Sequence, residues 1–546
     1  MKSAQMNSNR SCFVQRIIFC CCVLLAALPS CTREKAPPLI SSTSGEWLGS
    51  WGGINNDIAV FRGVPFAQPP VGNLRWRAPV SALVQDRQDV TEYAPACMQG
   101  SGMVDWYTDV AAAFGAGPEV VGRPLAVSED CLYLNIWSPE PKAGAKLPVM
   151  IYAHGGSNSG GWSYEPNYIG ENLAARGVVV VSISYRLGPF GFFAHPALDN
   201  GPGEAVANFA LLDTRAAFQW VSSNIAAFGG DPENMTGFGE SAGAFNLVDL
   251  MLAELATGRE SQPLFRRIIA QSIGGPVLNR RTLADEQAAG VLLSEEVGLD
   301  PGASADQLRA IPAETLLEAV EGLPGDHYFS AVVDGGTLPR HPLDVMLHSS
   351  ASGVDLMIGT NADEWLMYIA QETTRQDVEE WLTEHTPRQK AGLREAVAND
   401  PDARRKLDRL TTAFEMLCPS RFLAAQLDRA GGRSWVYYFN RQRAGAGGEQ
   451  LGAYHGAELP YIFDRHDSWL PMEDADSRLT ATMMDFWVQF ARSGDPNFEG
   501  RPVWPAYSRQ APAVMELGER MGVLDAEPAD LCSLLGLETL QLETVN

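Results

Sequence analysis

The stretch Thr236-Gly237-Phe238-Gly239-Glu240-Ser241-Ala242-Gly243 constrains this 546-residue chain more than any other. Its Gly239-x-Ser241-x-Gly243 core is the pattern of a nucleophile elbow, where a strand turns sharply into a helix and exposes a serine Oγ at the top of a sheet. The glycines have a steric reason: the turn leaves no room for a Cβ two residues before or after the serine. The surroundings suit it. Leu211 to Val221 reads as a helix, Gly229-Gly230-Asp231-Pro232 as a break, and Ala242 to Leu252, rich in Ala, Leu and Met, as the start of another helix. A bare G-x-S-x-G is a weak signal in a chain with 52 glycines. The serine therefore needs partners elsewhere.

Hydrophobic residues at 45% and charged residues at 20% describe an ordinary globular protein with ample core. The length allows two average domains or one large sheet. A net charge of −25 argues against a nucleic-acid partner and is compatible with neutral or cationic small substrates. Lys2, Arg10 and Arg16 precede an apolar run, Ile17 to Leu28, that is too short for an ordinary membrane span, so residues 1–30 read as a signal peptide. The segment ends Leu28-Pro29-Ser30-Cys31, which resembles a bacterial lipoprotein box cleaved before a lipid-bearing cysteine. That places the chain in the periplasm or at the outer membrane, touching a membrane only through Cys31. Pro29 is uncommon in such a box, and plain secretion is the alternative. Residues 31–44 read as a polar tether, with structure beginning near Gly45. Of nine cysteines, Cys12, Cys20, Cys21 and Cys22 leave with the signal. Besides Cys31 there remain Cys97, Cys131, Cys418 and Cys532, an even number without metal-site spacing in an exported chain, so disulfides are expected rather than zinc.

Phe61 to Ala67 is a strand leaving into a proline-pinned loop, Pro69-Pro70-Val71-Gly72-Asn73-Leu74-Arg75-Trp76. Glu129-Asp130-Cys131-Leu132-Tyr133-Leu134-Asn135-Ile136-Trp137 is an acidic turn opening a strand of alternating apolar residues. Together with the elbow these segments resemble the type-B carboxylesterase/cholinesterase family of α/β-hydrolases, in order from about residue 40 to Tyr507. The resemblance implies a single α/β-hydrolase domain over 45–540, with a mostly parallel central sheet and helices on both faces. Helical insertions at about 284–322 and 376–430 would form a cap. The residues agree: Val149 to Ala153 and Val178 to Ser184 are apolar runs of buried-strand type, and Phe265 to Ser272 is a further strand. The resemblance also implies a Cys97–Cys131 disulfide. The leftover count and rough family position suggest Cys418–Cys532.

Val149 to Ala153 runs into His154-Gly155-Gly156-Ser157, the place where such a fold builds an oxyanion hole. By resemblance its donors are the amides of Gly156, Ser157 and Ala242. Ser157 departs from the Gly or Ala usual in the family and narrows the space beside the acyl carbon, which disfavours esters of bulky tertiary alcohols. The orienting acid should follow Val354 to Thr360. There the resemblance selects Glu364, with Asp363 as the competing residue. Of eight histidines, His154 and His195 precede the serine, and His327, His341, His348, His385 and His466 lack a glycine frame. His455, in Gly452-Ala453-Tyr454-His455-Gly456-Ala457-Glu458-Leu459-Pro460, matches the family's histidine loop closely. Ser272 is either a residue behind this triad or a strand-end hydroxyl bonded to backbone.

The expected chemistry is hydrolysis of a small-molecule carboxylic ester through an acyl-enzyme on Ser241, with His455 as general base then acid, Glu364 orienting it, and no cofactor or metal. The family's choline-binding tryptophan has no counterpart at Val120 to Pro124, and Trp106 and Tyr107 lie too far upstream to match it. A general carboxylesterase is expected rather than a cholinesterase. The competing readings are a non-catalytic binding module of cholinesterase-like type, which would characteristically lose a triad member, and a thioesterase or amidase using the same three residues.

Overall fold

The computed structural model describes residues 35–536 apart from 85, 200, 202–204, 259–262, 276–279, 324–326 and 525–530. Eleven strands form one sheet: β1 (Ser50–Gly52), β2 (Ile58–Pro65), β3 (Tyr133–Ser138), β4 (Leu147–Ala153), β5 (Val179–Ile183), β6 (Gly230–Glu240), β7 (Arg267–Gln271), β8 (Asp355–Asn361), β9 (Arg433–Phe439), β10 (Val514–Leu517) and β11 (Met521–Val523). Their spatial order is β11-β10-β9-β8-β7-β6-β4-β5-β3-β2-β1. From β5 through β10 every neighbouring pair is parallel, and the pairs at both ends are antiparallel. Six helices bear on the site: α1 (Gly102–Ala113), α2 (Phe209–Asn224), α3 (Ala242–Ala256), α4 (Ala403–Thr412), α5 (Cys418–Arg429) and α6 (Asp474–Ser493).

β4 and β5, in the middle of the sheet, are apolar along almost their whole length because helices cover both faces. Along β4, Val149, Ile151 and Ala153 pack into a core shared with α2, α3 and α5, while Met150 and Tyr152 point the other way into a core shared with α6. Each fully buried branched or aromatic side chain of this kind contributes roughly 1.5–3 kcal/mol. The expected doubly covered, mostly parallel sheet is what the chain builds.

Two boundaries differ from the sequence reading. The chain is ordered before Gly45: Leu39–Ser42 pairs antiparallel with Gly45–Leu48, and the compact unit runs from Pro37. Asn224 Oδ1 accepts the amide and hydroxyl of Ser44 at 3.0 and 2.9 Å, and Trp47 is fully buried. Polar serines thus satisfy an edge hairpin where composition alone suggested a tether. The Gly229–Pro232 break is also partial. Gly229 takes φ +93°, but β6 starts at Gly230 and its pairing with β4 slips between Gly230 and Met235. Pro232, which has no N–H to give a ladder, lies inside that irregularity.

Cys97 is bonded to Cys131 and Cys418 to Cys532. Two disulfides fit an oxidising compartment. No helix among the described residues is long and apolar enough to cross a membrane. The signal segment 1–30 and Cys31 lie outside the described residues.

Candidate active site

The carboxyl ends of β4, β6 and β8 converge on a cavity of about 450 Å³, the edge at which open α/β sheets receive ligands. Its lining includes Gly155, Gly156, Ser157, Glu240, Ser241, Glu364 and His455.

Ser241 leaves β6 at φ +52°, ψ −127°, a conformation that costs a non-glycine residue of order 1–3 kcal/mol. The neighbouring backbone holds it there: Ser241 N donates to Gln271 O at 2.9 Å, and Phe245 N donates to Ser241 O at 3.0 Å. The elbow glycines have the expected reason. A Cβ on Gly239 would stand 2.8 Å from Ala153 O, and one on Gly243 would stand 2.1 Å from the same oxygen.

The loop after β4 is a left-handed turn, with φ of +102°, +54° and +57° at Gly156, Ser157 and Asn158. The amides of Ser159 and Gly160 donate to Gly156 O at 3.0 and 2.9 Å. The Asn158 side chain donates to Phe329 O and accepts from Asn246 Nδ2, each at 2.9 Å. Such turns gather successive N–H groups on one side, and Ala242, first in α3, has no earlier helical turn to receive its amide. His154 is buried and stacked on Tyr185; burial pushes its pKa down to about 4, so it stays neutral.

Glu364 Oε2 lies 2.6 Å from His455 Nδ1, and Glu364 Oε1 accepts Asn361 N at 2.7 Å. Asp363 turns elsewhere and accepts Ala453 N at 2.8 Å. Asn361 Nδ2 donates to Tyr454 O at 2.8 Å, joining the acid loop to the histidine loop. His455 is the one histidine among the lining residues described; His195 and His341 instead cap short helices, accepting the amides of Ala197 and Leu343.

The other ring nitrogen, Nε2, stands 3.1 Å from Glu240 Oε1. No hydrogen bond joins Ser241 Oγ to the ring among the described residues. Burial would lower the His455 pKa, but the Glu240 and Glu364 carboxylates outweigh it and raise it to about 10. Glu240 is itself pushed up, to about 8, by burial, with His455 pulling the other way and Glu458 and Glu364 adding to the rise.

Several residues that shape the cavity escaped the sequence reading. Trp106 and Tyr107, set aside as too far upstream, both line it from α1. Trp106 Nε1 donates to Tyr368 OH at 2.9 Å. Glu165 is buried in the wall, accepting Tyr107 OH at 2.5 Å and Trp162 N at 2.8 Å, and burial pushes it up to about 7. No motif spacing marks these positions, and the aromatic pair inside a helical run was their only signal. Ser272 is buried at φ +51°; its amide donates to Gly359 O at 2.8 Å and its Oγ has no partner among the described residues. Also among the described residues, no group of three or more His, Cys, Asp or Glu is arranged to hold a metal ion.

The family model described as the carboxylesterase family matches residues 37–531. The chain is 32% identical over 526 residues to the fumonisin B1 esterase of Sphingopyxis macrogoltabida, covering 93% of this chain and 92% of that one. It is 32% identical over 485 residues to the para-nitrobenzyl esterase of Bacillus subtilis, covering 84% and 91%. Among solved structures, a PNB esterase superposes with a TM-score of 0.76 at 28% identity, over 91% of this chain and 99% of that one. The carboxylesterase of Geobacillus stearothermophilus does so with 0.76 at 29%, over the same shares. The chain therefore belongs to the carboxylesterase family and is a serine-type carboxylic-ester hydrolase on the α/β-hydrolase fold, a general carboxylesterase rather than a cholinesterase.

Proposed function

We propose that this hydrolase works through an acyl-enzyme in which Ser241 is the nucleophile, His455 the general base and then acid, and Glu364 the orienting carboxylate. The observation that carries this reading is the 2.6 Å contact of Glu364 with His455 Nδ1, in the same cavity wall as the strained Ser241. A serine hydroxyl is a poor nucleophile near neutrality, so the imidazole must remove its proton as Oγ attacks the ester carbon. Glu364 accepts from Nδ1 and so leaves Nε2 as the ring's basic atom; it also stabilises the imidazolium that forms. The amides of Gly156, Ser157 and Ala242 would receive the negative charge on the tetrahedral oxygen, each worth about 3–4 kcal/mol of barrier. His455 then protonates the leaving alcohol, and water repeats the cycle on the acyl group.

Before turnover the ring must part with the proton that Glu240 and Glu364 stabilise. Its pKa is raised, and the base is competent only when neutral, so kcat/KM should rise with pH through a limb above the ordinary histidine value of about 6.5.

Ser241→Ala tests the assignment. Turnover should fall about 10⁶-fold in kcat, and an organophosphate should label Ser241 in the wild type, as read by peptide mass. Residual activity above about a thousandth of wild type, or label on another serine, would refute it. We propose also that residues 1–30 direct export and that Cys31 carries lipid, which the mass of the mature N-terminal peptide tests.

A further inference from the structure

Between α4 and α5 the helix does not stop: one π-helical turn, Ala413–Leu417, joins them. Such a turn holds one residue more than an α-helical turn and recurs at functional sites. Here it brings Glu415 and Met416, adjacent in sequence, into the wall of the serine's cavity. The turn rests on the glycine pair that follows β7. A Cβ on Gly274 would collide with Glu415 O, and one on Gly275 would stand 2.9 Å from Glu415 Oε2. Ser420 Oγ donates to Ile273 O, just before that pair, and Cys418, first in α5, is bonded to Cys532. The carboxylate is thus fixed at the wall by its own backbone.

Nothing nearby claims its charge. Among the described residues Glu415 accepts no hydrogen bond, and the titratable group that acts on it is His385, stacked on Trp381 with Nδ1 3.0 Å from Trp381 O. Burial raises the Glu415 pKa, and His385 pulls it the other way. The described lining offers no Lys or Arg. Tyr152, fully buried in the same lining, has a hydroxyl without a hydrogen-bond partner among the described residues.

The two arms of an ester are told apart by His455. It protonates the leaving alcohol, so the alcohol lies on its side. Tyr454 and Ala457, which flank it, belong to the core on the α6 face of the sheet, where Trp106 also packs. Glu415 lies toward the opposite face. Ile273, before the glycine pair, and Phe422, in α5, share the other core with Phe245, a further lining residue. The acyl arm, bonded to Ser241 and turned away from the histidine, points there.

We propose that the site prefers esters whose acyl arm ends in an ammonium group, with Glu415 as the residue that sets this preference. A cation gains more from a carboxylate in a cavity of low dielectric than in water, and near Glu415 it meets no competing side-chain cation in the described lining. Glu415 makes and breaks no bond in the reaction.

The proposal rests on the triad reading, because His455 assigns the arms. Its test compares 4-nitrophenyl 6-aminohexanoate with heptanoate, and 8-aminooctanoate with nonanoate, pairs in which an ammonium replaces a methyl group. At about pH 8 the alkylammonium is charged and an ordinary histidine is neutral. Wild type should favour the cationic ester of at least one pair by about tenfold in kcat/KM, and Glu415→Gln should lower that ratio by about 10–100-fold. The ratio is independent of how much variant folds. A wild type that favours the neutral ester of both pairs overturns the proposal, as does an unchanged ratio in Glu415→Gln. Equal or greater selectivity for 6-aminohexyl acetate over heptyl acetate, lost in the same variant, overturns the acyl placement. Heptanoate turnover that survives Ser241→Ala removes the triad itself, whereas its loss there with an unchanged Glu415→Gln ratio removes only the role of Glu415.

Discussion

The serine side and the histidine side of the cavity are held by different means. Ser241 and the Gly155–Ser157 loop follow the adjacent parallel strands β6 and β4, and each turn is set by its own backbone: positive φ at Gly156, Ser157 and Ser241, and carbonyls that exclude any Cβ at Gly239 or Gly243. Glu364 and His455 stand on loops following β8 and β9, with α4 inserted in the chain between those strands. Side-chain hydrogen bonds given by Asn361, Arg404 and Arg405 and accepted by Asp363 and Asp408 hold that half together. Steric exclusion makes the first half rigid and intolerant. The second half is a polar network of mutually supporting hydrogen bonds.

Glu364→Gln would break the comparison most severely. The amide can present the wrong group to Nδ1 and carries no charge, so kcat should fall by about 10⁴ with little change in Tm. A decrease below tenfold would mean that the acid side contributes no orientation. Gly243→Ala addresses the other half. Its Cβ would lie 2.1 Å from Ala153 O and 2.4 Å from His154 O, both backbone atoms, so stability should drop by about 3 kcal/mol or more in denaturant titrations. Full stability in that variant would show the elbow to be softer than its contacts imply.

Smaller effects sharpen the electrostatic contrast. The described cavity lining holds Glu165, Glu240, Glu364 and Glu415 and no Lys or Arg. Adding a carboxylate to an ester should therefore cost about tenfold in kcat/KM against its neutral isostere, the equivalent of about 1.4 kcal/mol; equal rates would show the acids to be neutralised. The smallest effect concerns Glu240. Its carboxylate raises the His455 pKa, so Glu240→Gln should move the rising limb of kcat/KM to lower pH, and an unmoved limb would assign the shift to Glu364 alone.

Much of this was legible in the chain. The glycine spacing about Ser241, the apolar runs of β4 and β5 and the glycine frame of His455 each encode a local steric or burial requirement, and such requirements survive in a linear string. Glu364 over Asp363 came by family resemblance; local pattern leaves adjacent acids equivalent. Geometry separates them, with Glu364 on the imidazole and Asp363 on Ala453. The early start at Leu39 was missed because Ser42 and Ser44 look like tether until Asn224 arrives from far along the chain to bond Ser44.

By itself, then, the sequence determined the apolar runs of the buried strands, the tight turn at Ser241 and the glycine frame around His455, because each depends on neighbours a few residues away. Only the tertiary structure decided that Nε2 faces Glu240, that Trp106 and Glu165 share the serine's cavity, and that Asp408 braces the acid loop. Those outcomes depend on which distant polar groups are buried together, and the cost of burying charge is set by the whole fold rather than by any one segment.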